Sequence, residues 1–144
     1  MNLLSTMLMV MLGGALGAAA RFLAQEAGQR WTQLPGWTAI LAANILGSLL
    51  MGIGYGWLHG LAVLESHEAL DAMQQYQDSV SIHEGMALLL AGFCGGLTTF
   101  STFSLDNLFL AYGKRGQLAC NILGCLLLGV IAAWAGLFIG GQLA

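Results

Sequence analysis

Four long apolar stretches, separated by shorter polar ones, organise this chain. A helix needs about 20 predominantly apolar residues to cross the hydrocarbon core of a bilayer. The four stretches lie near Leu3–Ala24, Trp37–Leu61, Met86–Ala111 and Leu118–Gly141. The pattern therefore predicts an all-α integral membrane protein in which residues 1–144 form one domain of four transmembrane helices.

The connections between the stretches differ in length. Residues 25–36 and 112–117 are short, whereas residues 62–85 form a longer, acidic loop with a weak helical stripe of apolar residues suited to the membrane interface. This loop ends in "SIHE", and its capping-box spacing predicts that the third helix begins near Ile82. The first stretch has no basic n-region, so we interpret it as a retained helix and not a signal peptide.

Composition narrows the function classes. Of the 144 residues, 58% are hydrophobic and 8% are charged, against about 25% charged in an ordinary soluble domain. The four basic residues form no patch that could neutralise phosphates, so nucleic acid is excluded as a partner. The three histidines lack metal-ligand spacing, and the glycine-rich runs match neither a dinucleotide fingerprint nor a P-loop. We therefore predict that the protein is not an enzyme.

Small residues four apart recur along the stretches. In lipid, such spacing lets helix backbones approach closely and gain van der Waals contact. Because four helices enclose little interior, several such faces also predict an oligomer. The pairs are Gly13 and Gly17, Gly14 and Ala18, Ala43 and Gly47, Gly52 and Gly56, Cys120 and Gly124, and Cys125 and Gly129.

Polar residues inside the apolar stretches indicate a pathway, because each is costly in hydrocarbon unless it faces a cavity or a partner. Asn44 and Ser48 are four apart and share one helix face, and Asn121 and Cys125 repeat the spacing. An interhelical amide hydrogen bond is the other interpretation of either asparagine. The cysteines, odd in number and in apolar surroundings, are interpreted as packing residues.

The third stretch contains the run "CGGLTTFSTFSLD" at 94–106. Glycine costs about 1 kcal/mol in a helix relative to alanine, and hydroxyls compete for backbone partners, so a break is predicted here. Freed carbonyls at such a break can hold a cation. Asp106 is expected in the first turn of the following half-helix. Phe100 and Phe103 would project from nearly one side, where their electropositive ring edges can line an anion's route.

Three motifs together resemble the CrcB (Fluc) fluoride channel family. They are "GGALGAAARF" at 13–22, "ANILGSLLMG" at 43–52 and "GFCGGLTTFSTFS" at 92–104. The resemblance covers all four stretches in order, and only the loop at 62–85 is long for the family.

The resemblance implies an antiparallel, dual-topology dimer in a bacterial inner membrane, surrounded by lipid, with a broken third helix in each chain. It also implies two pores that export fluoride passively from the cytoplasm, and a structural sodium ion (Na+) at the dimer centre on the backbone carbonyls of Gly95 and Thr98. Cys125 departs from the family, because a thiol is a weaker donor than the usual hydroxyl. The positions matching the fluoride path are Arg21, Asn44, Phe100, Phe103, Asn121 and Cys125, to which the polar pattern adds Ser48.

Two other classes share some of these features. Small multidrug antiporters are also four-helix, dual-topology dimers, but they need a glutamate in the first helix, and residues 1–20 contain no acid. A non-transporting membrane assembly subunit would explain the small-residue faces, but not a polar, broken third span.

The distribution of basic residues bears on orientation. The end of the molecule with the two short connections carries Arg30, Lys114 and Arg115, with Arg21 nearby, whereas the end with both termini and the long loop carries no Lys or Arg. The positive-inside rule then predicts termini outside the cell. A homodimer that inserts in both orientations requires nearly equal numbers of basic residues at the two ends. The partner is therefore either a second copy of this chain or a paralogue with the opposite charge bias. We favour the homodimer, because all the motifs are present in this chain.

Overall fold

The structure is a computed structural model that describes residues 3–32, 35–68, 86 and 88–143. Helix is the only regular structure within this part of the chain. Its elements are α1 (Leu3–Ala27), a π-helical turn (Gly28–Thr32), α2 (Gly36–Glu68), α3 (residues 88–97), α4 (Phe100–Ala111) and α5 (Arg115–Leu143).

Four stretches of the described chain are long and apolar enough to cross a membrane, as the sequence predicts. They are Leu3–Arg30, Gly36–His59, Leu88–Ala111 and Arg115–Leu143. Large apolar side chains on their outer faces are exposed in the isolated chain, with Leu126 60% and Trp134 72% accessible. Such a surface is suited to contact with lipid tails.

Three of the helices extend beyond their predicted bounds, and α1 ends at Ala27 and not at Ala24. Helix α2 continues past Leu61 to Glu68, because the next residues, "AVLESHE", contain helix formers and neither glycine nor proline. Helix α5 begins at Arg115 and not at Leu118. The predicted start of the third helix near Ile82 lies outside the described residues.

Glycine permits α1 and α3 to pack backbone against backbone. A Cβ built on Gly13 would clash with the carbonyl of Leu89, and one on Gly17 would clash with that of Phe93. From the other side, Gly92 and Gly96 of α3 meet the backbone of α1 in the same way. The α1 pair was predicted from its spacing, but its partner pair on α3 was not.

Helices α2 and α5 form a second contact of this kind. Gly52 and Gly56 of α2 face the backbone of α5, and Gly136 and Gly140 of α5 face the backbone of α2. Two of the predicted small-residue faces are thus occupied within one chain. They are therefore not free to form contacts between subunits.

The two short connections lie at one end of the molecule. The indole Nε1 of Trp37, at the start of α2, donates to Gln117 Oε1 near the start of α5, at 3.3 Å. The turn before α5 passes through Gly113, whose φ of +134° is a conformation that side-chain-bearing residues rarely adopt. This common end carries Arg30, Lys114 and Arg115.

Candidate functional site

The side chain of Asn44 on α2 is hydrogen-bonded to the backbone of Thr99. Thr99 N–H donates to Asn44 Oδ1 at 2.9 Å, and Asn44 Nδ2 donates to the Thr99 carbonyl oxygen at 3.4 Å. A backbone N–H can pair only with the oxygen of the amide, so this bond fixes which way the amide is turned. Asn44 therefore joins α2 to the segment between α3 and α4.

Residues 98 and 99 are not helical. Thr99 is extended, with φ −150° and ψ 127°, and caps α4 by accepting the N–H of Thr102 on its side-chain oxygen. Thr98 donates both its N–H and its hydroxyl to the carbonyl of Cys94, each at 2.9 Å. The backbone N–H groups of Thr99 and Thr102 therefore shift from their helical partners to side-chain oxygens.

This shift removes the usual partners of two carbonyl groups. In a continuous helix, the Gly95 carbonyl would accept from Thr99 N–H, and the Thr98 carbonyl would accept from Thr102 N–H. The first of these donors bonds to Asn44 Oδ1 and the second to Thr99 Oγ1. Both carbonyl oxygens therefore lack the helical donors that would otherwise satisfy them.

A groove of about 360 Å³, which we call the polar groove, opens beside this segment. Five of the seven residues predicted for the fluoride path contribute to its wall, from helices α2, α4 and α5. Its lining residues are Asn44, Ser48, Thr98, Thr99, Phe100, Phe103, Cys125 and Leu126.

The two phenylalanines of the polar groove lie next to each other. Their ring centroids are 6.0 Å apart and their planes are inclined by 40°. Phe100 is 80% exposed in the single chain, whereas Phe103 is half-buried. Both rings reach one groove from one helix, which agrees with the predicted shared side.

Two of the hydroxyl groups at the polar groove donate their protons to backbone carbonyls. Ser48 Oγ donates to the carbonyl of Asn44 at 2.9 Å, and Thr98 Oγ1 donates to that of Cys94. A hydroxyl has a single proton, so in this arrangement these side chains offer only acceptor oxygens to a ligand. Rotation of the hydroxyls would be needed before they could donate to an anion.

Arg21 is not part of the polar groove. It is half-buried on α1, and its Nε donates to the carbonyl oxygen of Gly96 at 3.2 Å, in the last turn of α3. A cation at this position satisfies a terminal carbonyl and complements the negative end of the helix dipole. Its contact in the structure is therefore with the backbone of α3.

Asn121 also lies outside the polar groove. It is fully buried, and its Nδ2 donates to Asn107 Oδ1 on α4 at 2.8 Å. The structure thus favours the interhelical amide bond over the pathway for this residue. Asn121 and Cys125 are four residues apart and share a face of α5. Side chains one turn apart can nevertheless contact different neighbouring helices or cavities.

For two residues of α4 near this bond, the sequence analysis differs from the structure. Asn107 was not singled out, although a second amide in an apolar stretch was the available signal. Asp106 lies beyond the first turn of α4, because the helix begins at Phe100, so the expectation for that residue was wrong. Asp106 Oδ2 and Asn121 Oδ1 are buried acceptors without a hydrogen-bond donor among the described residues.

A larger, mostly apolar groove of about 530 Å³ adjoins the polar one. Gly95 lies in it, and a Cβ built on Gly95 would meet no atom within 4 Å in the single chain. Ser48 and Thr98 line both grooves. The two grooves thus share these two residues in their walls.

Comparisons with a family model and with individual proteins point to the same family. Residues 8–137 match the family described as CrcB-like protein, Camphor Resistance (CrcB). A fluoride-specific ion channel FluC of Azotobacter vinelandii is 39% identical over 134 residues, covering 92% of this chain and 94% of that protein. Proteins of the same name from Pseudoalteromonas translucida and Flavobacterium psychrophilum are 38% and 30% identical, covering 90% and 97% of this chain and 94% and 100% of the relatives. These relatives are named as ion channels, and this chain belongs to the CrcB family.

Proposed function

We propose that this protein is a fluoride-selective channel that lets fluoride leave the cytoplasm passively across the bacterial inner membrane. The observation that carries the proposal is the polar groove, in which Asn44 of α2, the phenylalanine pair of α4 and Cys125 of α5 share one wall. The names of the relatives, fluoride-specific ion channels, support the choice of ion.

The chemistry of the groove suits a small anion. Moving a free ion into a medium of low dielectric costs tens of kcal/mol by Born reasoning unless new partners replace water. An amide N–H and the electropositive edges of aromatic rings are such partners, and neither carries a full charge that would trap the ion. Asn44, Phe100 and Phe103 are the residues that would supply them.

Assembly as an antiparallel, dual-topology dimer would complete the path. Phe100 and Gly95 are accessible in the single chain, and an exposed apolar surface of this kind is suited to contact with a partner. A second copy could cover both grooves and leave the outer faces of α1 and α5 to lipid. Two equivalent pores per dimer follow from the symmetry of such an arrangement.

We also propose that α3 and α4 are the two halves of a broken third helix, with a sodium ion bound at the break. Hard cations prefer oxygen ligands. The carbonyl oxygens of Gly95 and Thr98 fit this preference, because their helical N–H donors bond elsewhere. When bound, the ion would supply positive charge at the dimer centre. It would be structural and not transported.

The two other classes fit less well. A multidrug antiporter would need an acid in the first span, and α1 has none before Glu26. The function of an assembly subunit would not explain why the paired rings and the amide line one groove. Neither alternative is supported by the names of the relatives.

The direct test is fluoride efflux from liposomes that contain the purified protein, with chloride efflux as the comparison. We expect rapid fluoride efflux and chloride efflux near that of protein-free liposomes. Equal rates for the two ions, or no fluoride efflux from correctly assembled protein, would contradict the proposal.

A further inference from the structure

Within the described part of the chain, the Asn44 amide makes three hydrogen bonds. Its oxygen accepts from Thr99 N–H, and its nitrogen donates to the Thr99 carbonyl. The nitrogen has a second proton. That proton has the sulfur of Cys125 within reach, since Nδ2 and Sγ are 3.7 Å apart.

The bond to sulfur is the weakest of the three. Sulfur is a poor acceptor, and a neutral one, whereas the other two bonds join amide groups. The two bonds to Thr99 would keep Asn44 in place if the contact with sulfur were lost. The second N–H can therefore change partners without movement of the side chain that carries it.

The neighbouring hydroxyls do not compete for this role. Ser48 and Thr98 both donate their protons to backbone carbonyls. The hydroxyl of Thr99 pairs with those of Ser101 and Thr102 at 3.2 and 3.3 Å. Among these side chains at the polar groove, the Asn44 proton that faces Cys125 is thus the donor held by the weakest acceptor.

We propose that Cys125 is a placeholder acceptor for the Asn44 amide, and that fluoride replaces the sulfur when it occupies the polar groove. This inference rests on the proposed function. An anion is a much stronger acceptor than a neutral sulfur, so the exchange favours the ion. Residue 125 then sets the affinity for fluoride by competing with the ion, and not by donating a proton to it.

This role is opposite to that of a thiol that donates to the ion, and the two differ in the sign of a measurable effect. If sulfur competes with fluoride, its removal leaves the donor free and strengthens binding. If the thiol is itself a ligand, its removal weakens binding.

The first test measures fluoride efflux against fluoride concentration for Cys125→Ala in liposomes. Loss of a weak acceptor should lower the half-saturating concentration about threefold, in line with the modest net value of one hydrogen bond. Cys120→Ala is the matched control, since Cys120 is exposed on the same helix and does not line the groove. A half-saturating concentration that rises or stays unchanged in Cys125→Ala would overturn the proposal.

The second test does not depend on transport. The infrared S–H stretch of Cys125 is isolated as the difference between the spectra of the parent protein and Cys125→Ala, recorded with fluoride and with chloride. We expect fluoride alone to change this band without the strong lowering that marks a donating thiol. Strong lowering, or no response to fluoride, would overturn the placeholder role. A fluoride-specific response in a protein without fluoride efflux would instead leave the placeholder standing and contradict the channel function.

Discussion

Arg21 of α1 donates from Nε to the carbonyl oxygen of Gly96, a residue 75 positions further along the chain in the last turn of α3. The bond lies beside the segment at which Gly13 and Gly17 bring the backbones of α1 and α3 together. Arg21 therefore joins two helices whose contact is otherwise made by glycines.

The first prediction concerns this bond. We expect Arg21→Ala to lower the melting temperature of the solubilised protein by several degrees, because it removes a hydrogen bond from a charged donor, worth about 1.5–3 kcal/mol. Selectivity for fluoride over chloride should not change in the protein that remains folded. Thermal melts and liposome efflux measure the two effects.

Arg30→Ala is the control for Arg21→Ala. Arg30 forms an ion pair with Glu26 at 2.6 Å, and the two side chains are 71% and 41% exposed. Exposed pairs of this kind contribute little, so its melting temperature should hardly change. If Arg21→Ala is stable but has poor efflux at low fluoride, Arg21 serves the ion path and not the contact between helices.

The second prediction is that the phenylalanine pair serves conduction more than folding. Phe100→Ile and Phe103→Ile each keep apolar bulk but remove an electropositive ring edge. If the contact of that edge with the ion is worth about 1 kcal/mol, fluoride efflux should fall about fivefold. Size exclusion should show an intact assembly. Phe109→Ile is the control, because Phe109 is exposed on the same helix and outside the groove. Normal efflux in both groove variants would make these rings packing residues.

The third prediction separates two kinds of glycine. Gly17→Val should prevent folding of the single chain, because a Cβ at that position meets the backbone of α3. Gly95→Val should leave the chain folded, because the space around Gly95 is open, but it should disrupt the dimer. Circular dichroism and size exclusion distinguish the outcomes. A dimeric Gly95→Val protein would contradict the placing of this residue at the subunit contact.

The fourth prediction concerns sodium. If the carbonyls of Gly95 and Thr98 bind the ion, replacing sodium by a large organic cation should lower the melting temperature, since a ligand that binds only the folded state stabilises it. Thr98→Ser keeps both the hydroxyl and the carbonyl and should retain the dependence on sodium. A melt that is the same in both cations would argue against the site.

The fifth prediction concerns orientation. Single cysteines are placed at 62–85 and at the C-terminus, in a background without Cys94, Cys120 and Cys125, and are labelled with a membrane-impermeant reagent. For a homodimer inserted both ways, we expect roughly half of the molecules to be labelled at each position, despite the basic residues at one end. Full labelling at both positions without fluoride efflux would indicate an oppositely oriented partner chain.

The sequence by itself determined the membrane class and the four spans. These follow from a local property, because hydrophobic length sets what can cross a bilayer. The pairing of Phe100 with Phe103 also follows locally, since residues three apart share a face once α4 begins.

Only the tertiary structure decided which face of each helix contacts which neighbouring helix. Asn44 and Asn121 occur in similar patterns on their helices, yet one contacts the backbone of Thr99 and the other is buried against Asn107. Helical periodicity tells which residues share a face, but not which neighbouring helix covers it. The same limit applies to Arg21, whose partner Gly96 is distant in sequence, and to the glycines of α1, whose partners on α3 are specified only when the backbones come within contact distance.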